Sequence, residues 1–520
     1  MEDQKLVRNF SIIFVFFMIR NPLYKIITAA LVMVPLCMFS QGTTKILLEH
    51  ADSLVHNSKK RPEFQRLMGN VRLSHDSTIL MCDSAFLNDE KNFVLAYGNV
   101  HIKVSDTLNL FGDSLNYNGD TRVAKIWENV KLIDNETTLT TDTLTFDRVT
   151  EIANYEYWAK IINDKNILVS KRGYYHTRTK EFYFKEKVVL INPEYVMHSD
   201  TMMYNTVTKM TYFFSPSNIK GKEDSIYCEN GWYNTQMDVA RFRKNGRIYH
   251  LNQILTGDSL YYERKNGYGQ AFMHAMLIDT VQKMQLTGNY GELHRKAGFA
   301  FMTDSAVVKM IDKKDTLFLH SDTVYATFDT NENIHHILCY YKVKFFRRDL
   351  QGMCDSMSYH GRDSTMYLYH NPVLWSAANQ LTSDSIKLTL LNSQIDSMIL
   401  YNTAFIISQD DTNKFNQVKG RDMIGFFRNN ELYKIKVFGN SETIYYMREE
   451  DHSLIGITQI QASDMLIFVE KNQFKSITYI TEPKGKTSPE KDVSPYDLKL
   501  KGFIWVKGKR PLCKRDIFRW

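Results

Sequence analysis

One short phrase recurs along most of the chain, and this repeat constrains the fold more than any other feature of the sequence. The phrase is a small residue, Asp, Ser or Thr, and an apolar residue, often followed by an aromatic residue two positions later. Many copies lie 29 to 31 residues apart, or twice 29. The aspartates of the clearest copies are Asp83, Asp113, Asp142, Asp200, Asp258, Asp322, Asp355 and Asp384. A period of this length indicates stacked supersecondary units.

A second phrase, Gly-Asn-Val or a variant of it, falls about midway between copies of the first, as at residues 69–71 and 98–100. Apolar and polar residues alternate after it, which is the pattern of a strand with one buried face. Each unit is therefore predicted to contain two turns and two alternating strands. About thirteen such units of 29–31 residues fit along the chain, so we predict an all-β, elongated, repetitive fold.

The repeated aspartates raise the possibility of a metal site, because stacked carboxylates can bind calcium. Calcium-binding β-rolls, however, use a glycine-rich nonapeptide, which this chain lacks. We expect the aspartates to be structural turn residues that accept backbone N–H groups, and we expect no metal. A second set, Asp76-Ser77, Asp106-Thr107 and Asp315-Thr316, is also predicted to mark turns.

Three of the six cysteines occupy the position directly before the repeated acidic residue, where other copies have Gly, Ala, Ser or Thr. These are Cys82, Cys228 and Cys354, and they indicate that this position requires a small side chain. We expect no disulfide among the three because they lie far apart along a regular stack.

No motif in the sequence indicates a catalytic reaction. The chain has no nucleophile elbow, zinc-protease helix, P-loop or CxxC pair, and His335-His336 lacks metal-ligand spacing. A polysaccharide-processing enzyme would need a carboxylate pair distinct from the repeated aspartates, and none stands out. We therefore expect neither enzyme activity nor a cofactor.

The N-terminal segment resembles an export signal. Arg20 and Lys25 precede an apolar run over residues 26–39, which ends at small and polar residues. Residues 1–41 are predicted to be a signal peptide, with Met18 as a possible true start. The alternative is one N-terminal membrane anchor. The signal peptide predicts a periplasmic protein, possibly associated with the outer membrane.

Positive charge is concentrated near the C-terminus. The net charge is +7, of which residues 1–41 carry +2 and residues 482–520 carry +6, leaving −1 for the rest. This distribution does not favour a nucleic-acid surface along the body. Residues 471–520 form a basic, proline-containing tail, which we expect to be disordered or loosely attached. The alternative is that it docks on an acidic partner or a membrane surface.

The alternation of the two phrases resembles the OstA-like family of lipopolysaccharide transport proteins, to which LptA and the N-terminal domain of LptD belong. The resemblance divides the chain into an OstA-like β-jellyroll at residues 42–205 and more degenerate repeats at 206–470. It implies an elongated, V-shaped β-jellyroll whose apolar groove accepts acyl chains. It also implies end-to-end docking with other Lpt-type jellyroll proteins. The implied partners are lipopolysaccharide or another envelope lipid and possibly an outer-membrane protein.

The apolar faces of the clearest strands are the candidate lining of this groove. They are Val71, Leu73, Val100, Ile102, Leu115, Tyr117, Val130, Leu132, Leu144 and Phe146. The alternative is a structural envelope scaffold in which the same residues fill a closed β-solenoid core without a lipid.

Overall fold

The protein is described by a computed structural model over residues 44–56, 61–312, 315–391, 394–428, 431–449, 451–470 and 473–520. The predicted signal peptide, Met18 and Cys37 lie outside these residues. The chain forms two compact units. The first contains the described residues up to Trp127 together with Asp147–Val149, and the second contains Glu128–Phe146 and Thr150–Trp520.

The first unit is a set of antiparallel strands joined by tight turns. Its strands are β1 (Leu47–His50), β2 (Ser53–His56), β3 (Gln65–His75), β4 (Thr78–Asn88), β5 (Phe93–Lys103) and β6 (Leu108–Asn118), and it also contains the start of β7 (Val123–Asp134). Burial follows the alternation predicted from the sequence. In β5, Val94, Ala96, Val100 and Ile102 are buried, whereas Tyr97 is 39% exposed.

The second unit contains the rest of β7 and the remaining strands. They are β8 (Thr137–Asp147), β9 (Ile152–Tyr155), β10 (Ala159–Asn163), β11 (Asn166–Ser170), β12 (Arg172–His176), β13 (Glu181–Asn192), β14 (Tyr195–Asn205), β15 (Met210–Phe213), β16 (Ser217–Gly221), β17 (Asp224–Cys228), β18 (Asn230–Asn234), β19 (Val239–Lys244), β20 (Gly246–His250), β21 (Gln253–Gly257), β22 (Ser259–Glu263), β23 (Tyr268–Asp279), β24 (Met284–His294), β25 (Phe299–Ile311), β26 (Thr316–Phe328), β27 (Ile334–Tyr340), β28 (Val343–Phe346), β29 (Gln351–Cys354), β30 (Ser356–His360), β31 (Thr365–Tyr369), β32 (Val373–Ser376), β33 (Asn379–Thr382), β34 (Ser385–Leu391), β35 (Gln394–Tyr401), β36 (Phe405–Asp411), β37 (Lys414–Lys419), β38 (Asp422–Arg428), β39 (Glu431–Arg448), β40 (Leu454–Glu470), β41 (Gln473–Ile480) and β42 (Lys484–Ser488). Short 3-10 helices follow at Glu490–Asp492, Pro495–Leu498, Lys507–Lys509 and Asp516–Phe518.

The strands of the second unit form two antiparallel layers, here called arm A and arm B. Arm A contains β9, β12, β15, β18, β19, β22, β27, β30, β31, β34, β35, β38 and β41. Arm B contains β10, β11, β16, β17, β20, β21, β28, β29, β32, β33, β36, β37 and β42. Long strands cross from one arm to the other at a shift in register, as β13 does between Lys185 and Val188. We call the line of these shifts the corner. The predicted all-β fold is confirmed, and the repeat number stays a prediction.

The connections between strands agree in part with the sequence prediction. The predicted turns at Asp76-Ser77 and Asp106-Thr107 are confirmed, since they join β3 to β4 and β5 to β6. The two main phrases, in contrast, do not lie in strand-joining turns. They lie at the corner, within long strands or between the two short strands that replace one. The predicted strands are therefore about twice as long as expected, and each bends once.

The predicted C-terminal tail is ordered: its first residues form β41 in arm A and β42 in arm B, and the residues after β42 pack on arm B. The expectation of a disordered or loosely attached tail is therefore wrong. Two buried glutamines hold its backbone from both sides. Gln380 donates from Nε2 to the Ile504 carbonyl at 2.6 Å and accepts from the Val506 N–H at 2.9 Å. Gln417 makes the same pair of bonds to residues 498 and 500. Each glutamine side chain thus makes hydrogen bonds to two main-chain groups of an extended segment.

Further along arm B the tail is held by charged and apolar side chains. Arg510 donates to Gln351 Oε1 at 2.6 and 2.8 Å, and Lys344 donates to the Arg519 carbonyl at 2.6 Å. Ile517 is buried, with 1% of its surface exposed. The tail therefore covers the face of arm B that points away from the core, which explains why both faces of β28, β29 and β33 are largely buried.

Candidate functional site

The long strands of the first unit have the same register shift, as in β3 between Met68 and Val71, and at this corner the two repeated phrases meet on neighbouring strands. Asn99 donates from Nδ2 to Asp83 Oδ2 at 2.9 Å, and Asn70 bonds to Asp52 in the same way at 3.1 Å. Gly98 has φ +73°, and a Cβ at this position would collide with the Asp83 carboxylate. The glycine avoids the cost of a left-handed backbone, and its missing Cβ allows the close approach of the aspartate.

The repeated aspartates lie on the outside of this corner. Seven of the eight are exposed and Asp322 is half-buried. Where a partner is seen, it is usually a side chain on the next strand, as for His274 with Asp258 at 2.9 Å and Thr403 with Asp384 at 2.5 Å. Acceptance of a backbone N–H is seen at two degenerate copies: Asp464 accepts from the Gly439 N–H and Asp422 accepts from the Asn402 N–H, each at 3.0 Å.

The small residue before each aspartate points inward and supports the bend. Ser199, Ser321 and Ser383 are buried, and each donates its hydroxyl to the carbonyl two residues later, at 2.8 to 3.1 Å. Cys354 Sγ makes the same contact at 3.2 Å. The position therefore needs a side chain that is short enough for the core, and the serines and Cys354 at this position also donate a hydrogen bond across the bend.

The cysteines at this position are buried free thiols. Burial raises the pKa of Cys82 and of Cys228 to about 12. Because the thiolate is the reactive form, these cysteines are chemically inert at neutral pH. Cys513, in the tail, is an exposed free thiol.

All ten candidate lining residues are buried, with 0 to 5% of their surface exposed. Six lie in the first unit: Val71, Leu73, Val100, Ile102, Leu115 and Tyr117. Four lie in the second unit: Val130, Leu132, Leu144 and Phe146. Each set thus faces an apolar interior, and in this structure that interior is filled by the side chains themselves.

Opposite the corner, the free ends of the two arms meet along a line that we call the seam. In the second unit it runs from Asp134 to Ile334 and is made of polar contacts between turns of arm B and turns of arm A. Asp134, whose side chain has no exposed surface, accepts from Tyr175 Oη at 2.7 Å and from Lys180 Nζ at 2.6 Å. Asn163 accepts from Tyr204 Oη at 2.9 Å and from Lys209 Nζ at 2.7 Å.

The seam continues with ion pairs and a backbone contact. Arg264 donates from Nε to Asp224 at 3.1 Å. Its guanidinium carbon also lies over the ring of Tyr195 across the seam, 5.4 Å from the ring centroid. His250 lies 3.0 Å from a Glu332 carboxylate oxygen. Burial, followed by the charge of a nearby arginine, lowers the pKa of His250.

The first unit carries contacts of the same type. Tyr117, a candidate lining residue, has a buried ring, but its hydroxyl lies 2.5 Å from His75 Nδ1 and accepts from Arg148 at 3.0 Å. Asp76 pairs with Arg122 at 3.2 Å. A hydrogen bond from Thr44 lowers the pKa of Asp76, and burial raises that of Tyr117. The aromatic position of the first phrase therefore has a polar role that the sequence reading missed.

The described residues contain no cluster of three or more His, Cys, Asp or Glu side chains placed to hold a metal ion. Within the same part of the chain, no helix is long and apolar enough to cross a membrane.

Comparison with known proteins identifies the family. Among solved structures, the chain is similar to LptH from Pseudomonas aeruginosa, described as the LptA homologous periplasmic component of the lipopolysaccharide transport device. The identity is 8%, over 28% of this chain and 100% of that chain, with a TM-score of 0.22. No curated protein matches. Residues 43–200 and 225–322 match the model of the OstA-like protein family. The chain therefore belongs to the OstA-like family over these residues.

Proposed function

We propose that this chain is a periplasmic protein of lipopolysaccharide transport and outer-membrane assembly, and that it holds lipid acyl chains in its apolar interior. The observation that carries the proposal is the pairing of an apolar interior with a seam of separable side-chain contacts. Membership of the OstA-like family supports it. The ten candidate residues are proposed to line the binding surface.

The energetics of acyl chains explain why such an interior is needed. Transfer of one CH₂ group from water to an apolar surrounding is worth about 0.8 kcal/mol, so a chain of roughly twelve carbons represents about 10 kcal/mol. A lipid with several chains therefore requires continuous apolar cover in the periplasm. The interior between the arms offers such cover, with the head group left outside.

The lipid must separate the arms along the edge where separation breaks the fewest main-chain bonds. At the corner the strands are covalently continuous, as in β13. At the seam the arms are joined largely by side chains, such as Asp134 with Lys180 and Asn163 with Lys209. We infer that the seam is the edge that opens.

The burial of the candidate residues favours a second function. Because all ten are at most 5% exposed, the chain could be a structural envelope scaffold with a permanently closed core. In that case the seam would stay shut and no lipid would enter.

The proposed partners are the lipid, other Lpt-type jellyroll proteins docked end to end, and an outer-membrane protein. The first two strands support an end-docking site in the first unit. Every residue of β1 and β2 is exposed, including Leu47 at 61% and Leu54 at 49%. Apolar side chains at an open strand edge are typical of a surface that another strand covers.

Two experiments test the proposal. A photoreactive leucine analogue at Val100 or Leu115 should capture lipopolysaccharide in cells, whereas the same group at exposed Tyr97 should not. Depletion of the protein should cause lipopolysaccharide to accumulate at the inner membrane. Normal lipopolysaccharide export after depletion, with no capture from either interior position, would establish the scaffold function instead.

A further inference from the structure

At one end of the polar seam of the second unit, the seam contacts are followed by a cavity. The last contact of the seam is a hydrogen bond in which the Ile334 N–H donates to the fully buried Asp279 carboxylate at 2.7 Å. Next to this pair, a cavity of about 260 Å³ lies between turns of arm B and turns of arm A. It is bounded on the arm B side by the ends of β24, β25 and β26 and on the arm A side by β30, β34 and β35.

The floor of the cavity is apolar and reaches the core. Met284 and Leu317 on arm B and Tyr359 on arm A are only 4 to 8% exposed, so they belong to the buried interior. Met310 and Leu390 lie above them on opposite sides. An object entering between the arms at this point would meet core side chains directly.

Other cavities along the seam have a different chemistry. One of about 380 Å³ is lined by charged side chains that include Asp224, Asp238, Arg264 and Arg295. An acyl chain placed there would leave buried charges without water, which is strongly unfavourable. The apolar floor therefore distinguishes the cavity beside Asp279.

The mouth of this cavity does not select an anionic head group. It is lined by Asp312, Asp315 and Asp349 and by Arg347, which donates to Asp349 at 2.6 Å. Asp315 is paired with Arg348 at 3.2 Å. With three carboxylates and one lining arginine, the mouth would repel a phosphate more than attract it. Recognition at this point must come from the apolar chain.

We propose that this cavity is the portal through which a fatty-acyl chain first enters the interior. The inference rests on the proposed function and adds the place of entry to it. A chain inserted beside Leu317 would then extend along the core toward Asp134, parting the seam contacts one turn after another.

A neutral probe tests the portal in the purified full-length protein. Photoreactive dodecyl maltoside, with a diazirine in its chain, should label β25, β26 and β34, as mapped by peptide mass spectrometry. Met310→Trp fills the cavity from arm B and should weaken binding about tenfold. Leu390→Trp fills it from arm A and should have the same effect. Val207→Trp, at a seam turn where Val207 is 68% exposed, is the matched control and should bind normally.

The outcomes separate the portal from the proposed function. Normal binding to both filled variants, with their folds verified by circular dichroism, would overturn the portal. If lipopolysaccharide were still captured from Leu115 in cells, the proposed function would stand without it. If neither the probe nor lipopolysaccharide were bound by the unmodified protein, the proposed function itself would fail. Labelling confined to exposed tail residues such as Leu512 would also contradict the portal.

Discussion

The corner and the seam join the same two arms by different kinds of contact. At the corner, arms are linked by continuous backbone, and the side-chain pairs outside it are exposed, as for Asp258 and His274 at 51% and 85%. At the seam, one partner of a pair is buried and the other is partly buried, as for Asp134 and Lys180 at 0% and 27%. Exposed ion pairs contribute little, whereas removal of one partner from a buried pair is strongly destabilising.

This difference indicates that the corner stays joined and that the seam is the edge at which the arms can separate. The corner keeps its geometry through chain connectivity, so its aspartates are dispensable for joining the arms. The seam depends on side chains that are satisfied only when the arms touch. Opening of the seam, which the proposed lipid binding requires, would therefore break no strand.

The largest effect is expected from removing a buried seam carboxylate. Asp134→Ala leaves Tyr175 and Lys180 without their shared acceptor and should lower the free energy of unfolding by about 3 kcal/mol. The control at the corner, Asp258→Ala, should lower it by about 0.5 kcal/mol. Urea unfolding of the two variants measures both values. Equal losses would remove the distinction between the edges.

The backbone of the corner should be more sensitive than its carboxylates. Gly98→Ala forces a Cβ onto the Asp83 carboxylate and a left-handed backbone onto alanine, and should lower the free energy of unfolding by about 1–2 kcal/mol. The double variant Gly98→Ala with Asp83→Ala relieves the collision and should recover part of this loss. Full recovery in urea unfolding would show that the backbone angle itself contributes nothing.

The seam should also weaken in acid. Burial lowers the pKa of His250 below its ordinary value near 6.5, so the unfolded chain binds the proton more readily. The stability contributed by neutral His250 is complete above pH 6.5 and is lost as the pH falls. His250→Gln should therefore flatten the pH dependence of unfolding between about pH 7.5 and 5.5. An unchanged pH dependence in His250→Gln would contradict the assignment.

Much of the fold could be predicted because each repeat carries its own signals. The alternation of Val71 with Leu73 and of Val100 with Ile102 marked the buried faces. Gly-Asn was interpreted as a strand-joining turn because these residues favour turns in general. Here the same residues supply a left-handed bend inside a strand. Local sequence does not distinguish the two, since the choice depends on which strand pairs beyond the bend.

The seam was missed because its partners are far apart in sequence. Tyr175 and Asp134 are 41 residues apart, as are Tyr204 and Asn163. The signal that could have found them is a polar residue at the end of one strand and a tyrosine at this fixed later distance. The ordered tail was missed for a similar reason. Whether Gln380 and Gln417 face the core or a covering segment depends on strand register, which composition does not reveal.

The central claim is that the seam opens and the corner does not. It can be tested by bridging one edge at a time with a reducible bismaleimide, after replacing Cys37 and Cys513 with serine because the other cysteines are buried. The seam bridge joins Asn163→Cys to Lys209→Cys, and the corner bridge joins Asp258→Cys to His274→Cys.

The readout is capture of dodecyl maltoside by a photoreactive leucine analogue at buried Leu168, next to the bridged seam. Capture should persist in the corner-bridged protein, fall about tenfold in the seam-bridged protein, and return when the bridge is reduced. Undiminished capture by the seam-bridged protein would contradict the account.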